Sequence, residues 1–169
     1  MPAHHLSRAG LGLALALLAG CAAPPPPPPP PTILNLTIKA LPGINPGPDG
    51  QAAPVVLRLY QLETAANFNN AEFFPLYNGD VALLGQDLVK REDLVLAPGS
   101  SQTKTIMPKD QVKSLGLFAG FRDFQNTQWR GSTDVPPNKT TNVTVTVGPK
   151  GVDVAAAPAP PPPPAKPAS

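Results

Sequence analysis

Apolar and polar side chains alternate with a period of two along most of residues 32–154. This alternation is typical of strands that bury one face and expose the other. We predict strands at LNLTIKA (34–40), PVVLRLYQL (54–62), QTKTIM (102–107), QWRGSTDV (128–135), NVTVTV (142–147) and the edge segment VDV (152–154). The run SLGLFAGF (114–121) is apolar on both faces and therefore predicts a central strand.

The turns between these segments complete the prediction of the fold. Leu94 and Leu96 lead through APGSS (97–101) into QTKTIM, which predicts a hairpin with a Pro-Gly turn. Seven or eight short strands separated by such turns indicate an all-β fold, an antiparallel β-sandwich.

Residues 63–89 interrupt the alternation. They are rich in alanine and asparagine and carry several aromatic side chains. Asn70 is a candidate cap for a short helix that includes Phe74, and Asp80 is a candidate cap for a second helix through Leu84. We interpret this segment as a helical excursion whose aromatic side chains cover one end of the sandwich. The alternative is an aromatic ligand pocket.

The first twenty residues have the features of a secretory signal peptide. Arg8 precedes the apolar run LGLALALL (11–18), which is shorter than the roughly 20 residues that a membrane-spanning helix needs. The following LAGC (18–21) resembles the bacterial lipobox, in which the chain is cut before the cysteine and its thiol is joined to diacylglycerol. Cys21, the only cysteine of the chain, is therefore our candidate lipidation site. The alternative is an ordinary signal peptide whose cysteine is incidental.

Fifteen of the 26 prolines lie in two tracts, residues 24–31 and 158–169. Proline fixes φ and donates no backbone hydrogen bond, so we expect both tracts to be extended polyproline II outside the sheets. At about 3.1 Å per residue, the first tract is a spacer of roughly 25 Å. The alternative for either tract is a ligand for a proline-reading domain. We divide the chain into a lipoprotein signal peptide (1–20), a lipidated cysteine with a polyproline spacer (21–31), a β-sandwich domain (32–154) and a disordered Pro/Ala-rich tail (155–169).

Charge and composition exclude several classes of function. The chain carries 13 Lys+Arg and 11 Asp+Glu, so it has no strong field to recruit nucleic acid. Both histidines, His4 and His5, leave with the signal peptide, and the remaining chain lacks the usual general base and transition-metal ligands. No GxSxG, metal-ligand spacing or glycine-rich phosphate loop is visible. We therefore expect no enzymatic activity, no cofactor, no metal, and neither a small-molecule substrate nor nucleic acid as a partner.

The folded part carries a succession of motifs that resembles one family. VVLRLYQL (55–62), FNNAEFFPLYN (68–78), LLGQDLV (83–89) and LAPG (96–99) follow the lipobox, and LGLFAGFRD (115–123) and QWR (128–130) precede a final valine-rich strand. Together they resemble the type VI secretion system lipoprotein family, TssJ/VasD, over roughly residues 33–154. The two polyproline tracts lie outside the family pattern.

The resemblance implies a transthyretin-like β-sandwich with an added helical element, in a structural outer-membrane lipoprotein that faces the periplasm. It implies binding to the periplasmic part of the inner-membrane protein TssM, and through it an indirect link to TssL, in the complex that anchors the secretion machine. Ala22 rather than Asp follows the cysteine, which favours the outer membrane. The alternatives are another envelope lipoprotein with a sandwich-type assembly or adhesion module, and a sandwich hydrolase, which would need histidines.

The family's loop between the first two strands is associated with TssM contact, and here it is LPGINPGPDGQAAP (41–54). Its length and its Pro and Gly content fit an exposed protrusion. The candidate partner-binding residues are Leu41, Pro42, Ile44, Asn45, Pro46 and Asp49. Ile44 is the best single candidate, because an apolar side chain on an exposed turn gains about 1.5–3 kcal/mol when a partner's pocket buries it fully. The rival possibility is that Ile44 folds back and closes its own sandwich.

Overall fold

The computed structural model describes residues 25–160, so Cys21 and residues 161–169 lie outside the described part of the chain. The strands are β1 (Ile33–Ala40), β2 (Val55–Leu62), β3 (Leu88–Leu96), β4 (Ser101–Ile106), β5 (Ser114–Ala119), β6 (Arg130–Asp134), β7 (Thr140–Gly148) and β8 (Gly151–Pro158). Helices α1 (Ala66–Asn70) and α2 (Phe73–Leu84) and a 3-10 turn (Gly85–Asp87) lie between β2 and β3. None of the helices within residues 25–160 is long and apolar enough to cross a membrane.

The strands form two four-stranded sheets. The first sheet has the order β4-β1-β7-β8, and the second sheet has the order β3-β2-β5-β6. Every neighbouring pair is antiparallel except β1 and β7, which run parallel with Ile33 opposite Thr140. The all-β sandwich and its number of strands are therefore confirmed, with one parallel pair that alternation alone does not reveal.

The predicted inward faces form the core between the two sheets. Its buried side chains include Leu34, Leu36, Ile38, Leu57, Leu59, Leu115, Leu117, Val143, Val145 and Val147. β5 is buried along its whole length and lies between β2 and β6, as predicted for a central strand. Removal of this aliphatic surface from water, at roughly 25 cal/mol per Å², is the main force that holds the sheets together.

Helices α1 and α2 cover the outer face of the second sheet. There Tyr60 of β2 and Phe118 of β5 pack with Phe68, Phe73 and Leu76 of the helices. The helical excursion is confirmed, but its aromatic side chains cover a sheet face and not an end of the sandwich. The reason is that β2 and β5 present large apolar side chains on their outer face, and these side chains need a cover.

The helix ends agree only in part with those predicted from the sequence. Asn70 ends α1 and does not cap a helix, so that prediction was wrong. α2 carries Pro75 in its first turn, where the missing N–H is tolerated. Gly79 departs from helical geometry, with φ −145° and ψ 35°, and the Asp80 carboxylate accepts the N–H of Val81 at 2.9 Å just after this break. A second helical segment therefore begins at Asp80, as predicted.

Two connections differ from the sequence-based expectation. Segment 97–100 does not close a hairpin, because β3 belongs to the second sheet and β4 to the first. Leu96 and Ile106 both enter the core, and alternation cannot distinguish such a crossing from a hairpin. β8 continues to Pro158, so the assignment of residues 155–158 to the tail was wrong. Alanines continue the ladder with β7 here, because an exposed edge needs no large side chains.

The sandwich has two distinct ends. β1 begins and β8 ends at the same end, because β1 runs parallel and β8 antiparallel to β7. The two proline tracts adjoin these strand termini, and we call this end the tract end. Loop 41–54 and the turn at 148–151 lie at the opposite end, which we call the loop end.

Candidate functional site

Loop 41–54 is held against the sandwich at its base. The Leu41 N–H donates to the Val147 carbonyl at 2.8 Å, which continues the pairing of β1 with β7. The Ala53 N–H donates to the Ile44 carbonyl at 3.1 Å and brings the two arms of the loop together. The loop is therefore a narrow projection with a fixed base.

Ile44 lies inside the sandwich and is 0% exposed. It belongs to the same buried cluster as Ile38, Val55 and Phe121. The expectation that Ile44 is an exposed anchor was wrong, because the fixed loop base places its side chain in the core, where burial stabilises the fold. The rival possibility, in which Ile44 closes its own sandwich, is what the structure shows.

Asn45 is also buried, and it connects the loop to the segment after β5. Its amide nitrogen donates to the Pro54 carbonyl at 2.8 Å, and its amide oxygen accepts the Arg122 N–H at 2.9 Å. Its backbone is left-handed, with φ 47°, a conformation that asparagine tolerates better than most residues. Asn45 therefore fixes the loop and is not available to a partner.

The loop is exposed at residues 41–43 and over most of its tip, residues 46–51. The Gly47 N–H donates to the Gln51 carbonyl at 2.9 Å, and the Asp49 carboxylate accepts the Gln51 N–H at 3.1 Å. These bonds give the tip a defined shape. Of the predicted partner-binding residues, the structure leaves exposed Leu41, Pro42, Pro46 and Asp49.

A buried charged cluster fastens α2 to the second sheet. The Asp80 carboxylate accepts the Tyr60 hydroxyl at 2.7 Å, and both of its oxygens accept from Nη1 of Arg91 at 3.0 Å. Arg58 Nη1 lies 3.6 Å from Asp80 and donates to the Tyr77 carbonyl at 2.8 Å. Burial, together with the neighbouring Asp80 carboxylate, raises the pKa of Tyr60 well above its usual range. Tyr60 therefore stays a neutral donor, and α2 is held in a fixed position.

Four exposed apolar side chains lie together on the outer face of the second sheet. Val56 and Val95 are paired across β2 and β3. The Tyr77 ring lies over Gly120 beside the Val56 carbonyl, and Phe74 is one turn earlier on α2. The exposed fractions are 38% for Val56, 54% for Phe74, 45% for Tyr77 and 73% for Val95. We call these four side chains the side patch.

Sequence reasoning did not single out the side patch, although the sequence carries a signal for it. VV (55–56) and LVL (94–96) place apolar residues at successive positions, and successive side chains of a strand point to opposite faces. One member of each run must therefore lie outside the core.

The chemistry of these surfaces fits protein binding. Within residues 25–160, His, Cys, Asp and Glu side chains form no group of three or more that could hold a metal ion. A fixed loop and an apolar face are features of an interaction surface.

Comparisons with known proteins identify the family. The chain matches the family model described as "Type VI secretion lipoprotein, VasD, EvfM, TssJ" over residues 32–150. No curated protein matches the sequence significantly. The crystal structure of the lipoprotein TssJ1 from Pseudomonas aeruginosa is 36% identical, with a TM-score of 0.74 over 78% of this chain and 100% of that chain.

Two further solved structures contain similar chains. One, described as "Type VI membrane complex", has a chain with 27% identity and a TM-score of 0.64, matched over 73% of this chain and 98% of that chain. The other, described as "T6SS protein TssM C-terminal domain (869-1107) from EAEC", has a chain with 26% identity and a TM-score of 0.61, over the same shares. The family model covers more than half of the sequence, and the chain therefore belongs to the type VI secretion lipoprotein family, which is structural and not enzymatic.

Proposed function

We propose that this protein is an outer-membrane lipoprotein that faces the periplasm and is anchored through acyl chains on Cys21. Through loop 41–54 it binds the periplasmic domain of a TssM-like inner-membrane protein, and through that protein it is linked to TssL. Its role is mechanical, because it holds two parts of the secretion complex together without making or breaking a covalent bond.

The observation that carries this proposal is that the first proline tract and loop 41–54 adjoin opposite ends of the domain. The first proline tract enters β1 at the tract end, and β1 leads directly into loop 41–54 at the loop end. β1 has eight residues, so the two ends lie about 26 Å apart. An anchored domain would therefore present the loop away from its own membrane, toward a partner in the periplasm.

Two other observations support the proposal. Similar chains occur in structures described as a type VI membrane complex and as the TssM C-terminal domain, which supports a TssM-like partner. Ala22 follows the candidate lipidation site where an Asp would favour the inner membrane, which supports the outer membrane.

A binding measurement tests the role of the loop. The test variant replaces Leu41, Pro46 and Asp49 by serine, and the matched control replaces Lys109 and Gln111, which are exposed at the tract end, by serine. Each mature lipidated protein, from Cys21 to the carboxyl terminus, is titrated calorimetrically in detergent with the purified periplasmic domain of the TssM-like protein. We expect the loop variant to bind at least tenfold more weakly, with an unchanged melting temperature, and the control to bind like the wild type. Equal affinities of the two variants would contradict the role of the loop.

A second experiment tests the anchor. Mass spectrometry of the protein purified from outer-membrane fractions should show an acylated cysteine at the mature amino terminus. Cys21→Ser should release a folded protein into the soluble fraction, because the core described within residues 25–160 begins only at Leu34. An unmodified thiol in membrane-bound protein, or fractionation with the inner membrane, would reject the proposed anchoring.

A further inference from the structure

Loop 41–54 alone offers a partner little apolar surface. Ile44 is buried, and Leu41, at 43%, is the only large apolar side chain of this loop that is exposed. Protein interfaces draw most of their binding free energy from a few apolar or aromatic side chains that become fully buried. A partner that docks on the loop therefore needs apolar anchors from the surface beside it.

The side patch is continuous with the loop. The Asn45 side chain bonds to the Pro54 carbonyl and to the Arg122 N–H. Two residues after Pro54, the Val56 carbonyl accepts the Gly120 N–H at 2.9 Å, and the Tyr77 ring covers Gly120. The side patch therefore begins where the loop ends, on the half of the domain that is farther from the anchored tract.

We infer that the side patch belongs to the surface that binds the periplasmic domain of the TssM-like partner, with Tyr77 and Val95 as its main apolar anchors. The inference rests on the proposed function and extends its binding site from the loop onto the outer face of the second sheet.

The aromatic side chains of the side patch are held in place before a partner arrives. Tyr77 stacks on Phe73 with ring centroids 5.8 Å apart, and the Arg58 guanidinium lies 5.2 Å from the Tyr77 centroid. Phe74 packs edge-on against Phe124 at 4.9 Å. These side chains have little rotational freedom left to lose, which lowers the entropic cost of binding.

The charges beside the side patch compensate one another. Arg91 donates to Asp93 at 2.9 Å, and Arg58 lies 3.6 Å from both Asp93 and Asp80. The two arginines thus balance the two aspartates. This cluster therefore has no net charge with which to select a charged partner. The matching surface of the partner domain should be apolar and uncharged, and the contribution of the patch to binding should change little with salt.

The test uses the same calorimetric titration of the mature lipidated protein. The patch variants are Val95→Ser alone and Val95→Ser with Tyr77→Ser, and the matched control is Met107→Ser. Met107 is 74% exposed, like Val95, but lies at the tract end. We expect Val95→Ser to weaken binding about fivefold and the double variant at least tenfold. The control should bind within twofold of the wild type, and the control and Val95→Ser should melt within a few degrees of it. The double variant also loses the stacking of Tyr77 on Phe73 and should melt lower while remaining folded.

The loop variant, measured in parallel, separates the possible outcomes. Weakened binding by both the loop and the patch variants supports the inference. Weakened binding by the loop variant alone overturns the inference and leaves the proposed function intact. If light scattering shows that the wild type self-associates and that only the patch variants do not, the patch binds a second copy and the inference is overturned. If neither the loop nor the patch variants weaken binding, the proposed binding site fails and the inference fails with it.

Discussion

Ile44→Ala should lower the free energy of unfolding by about 3 kcal/mol. The substitution removes three carbon atoms from a side chain that is 0% exposed. At about 0.8 kcal/mol per buried CH₂, the lost transfer free energy alone is roughly 2.4 kcal/mol. The cavity that remains adds to this loss, because Asn45 and the bond from Ala53 hold the loop base and prevent it from collapsing inward.

Leu41→Ala is the matched control for this prediction. Leucine and isoleucine are isomers, and both positions belong to the same loop, but Leu41 is 43% exposed. We expect the control to lose less than about 1 kcal/mol. Urea unfolding followed by the fluorescence of Trp129, the only tryptophan, compares the two variants. Equal losses, or a loss below about 1 kcal/mol for Ile44→Ala, would refute the structural role of Ile44.

Three further predictions concern the charged cluster and a strained turn. Asp80→Ala should cost about 3 kcal/mol in urea unfolding, because it leaves buried partners without an acceptor, whereas the more exposed Asp93→Ala should cost less than about 1 kcal/mol. The pKa of the Tyr60 hydroxyl is raised in the folded protein. Above a pH of about 10 the unfolded state therefore loses this proton first, and the free energy of unfolding falls. Tyr60→Phe should make this fall shallower between pH 8 and 11. Gly151→Ala should cost about 2–4 kcal/mol, because φ is 139° and the new methyl group would overlap the Gln128 backbone, whereas Gly43→Ala, with open space around it, should be nearly neutral.

The strands could be predicted from the sequence, but their partners could not. Alternation reports that a strand buries one face, and this holds whichever strand lies beside it. Pairing of β1 with β7 joins residues that are 107 apart, such as Asn35 and Asn142, and no local pattern encodes it. The turn at 97–100 was mistaken for a hairpin for the same reason, since a crossing between sheets and a hairpin need the same turn residues.

The candidate site, too, could be predicted from the sequence only in part. The loop was chosen because the family resemblance points to the connection between the first two strands, and its exposure was predicted from its Pro and Gly content, which local sequence does carry. The direction of the Ile44 side chain depends on the bond between the two loop arms and on space inside the core, and neither can be read from the loop itself. The side patch depends on which outer-face residues the helices leave uncovered, and this coverage is a property of tertiary packing.

The topology also explains how such a domain would carry load between its anchor and its partner. In the proposed arrangement, tension enters at the first proline tract and leaves through loop 41–54, so it acts along β1. β1 is an inner strand, paired with β4 over residues 34–39 and with β7 over residues 33–40. The covalent backbone of β1 would carry this tension directly, and the two ladders hold the strand extended within its sheet. The parallel pairing with β7, which alternation could not predict, is therefore part of what would keep the anchored strand in place.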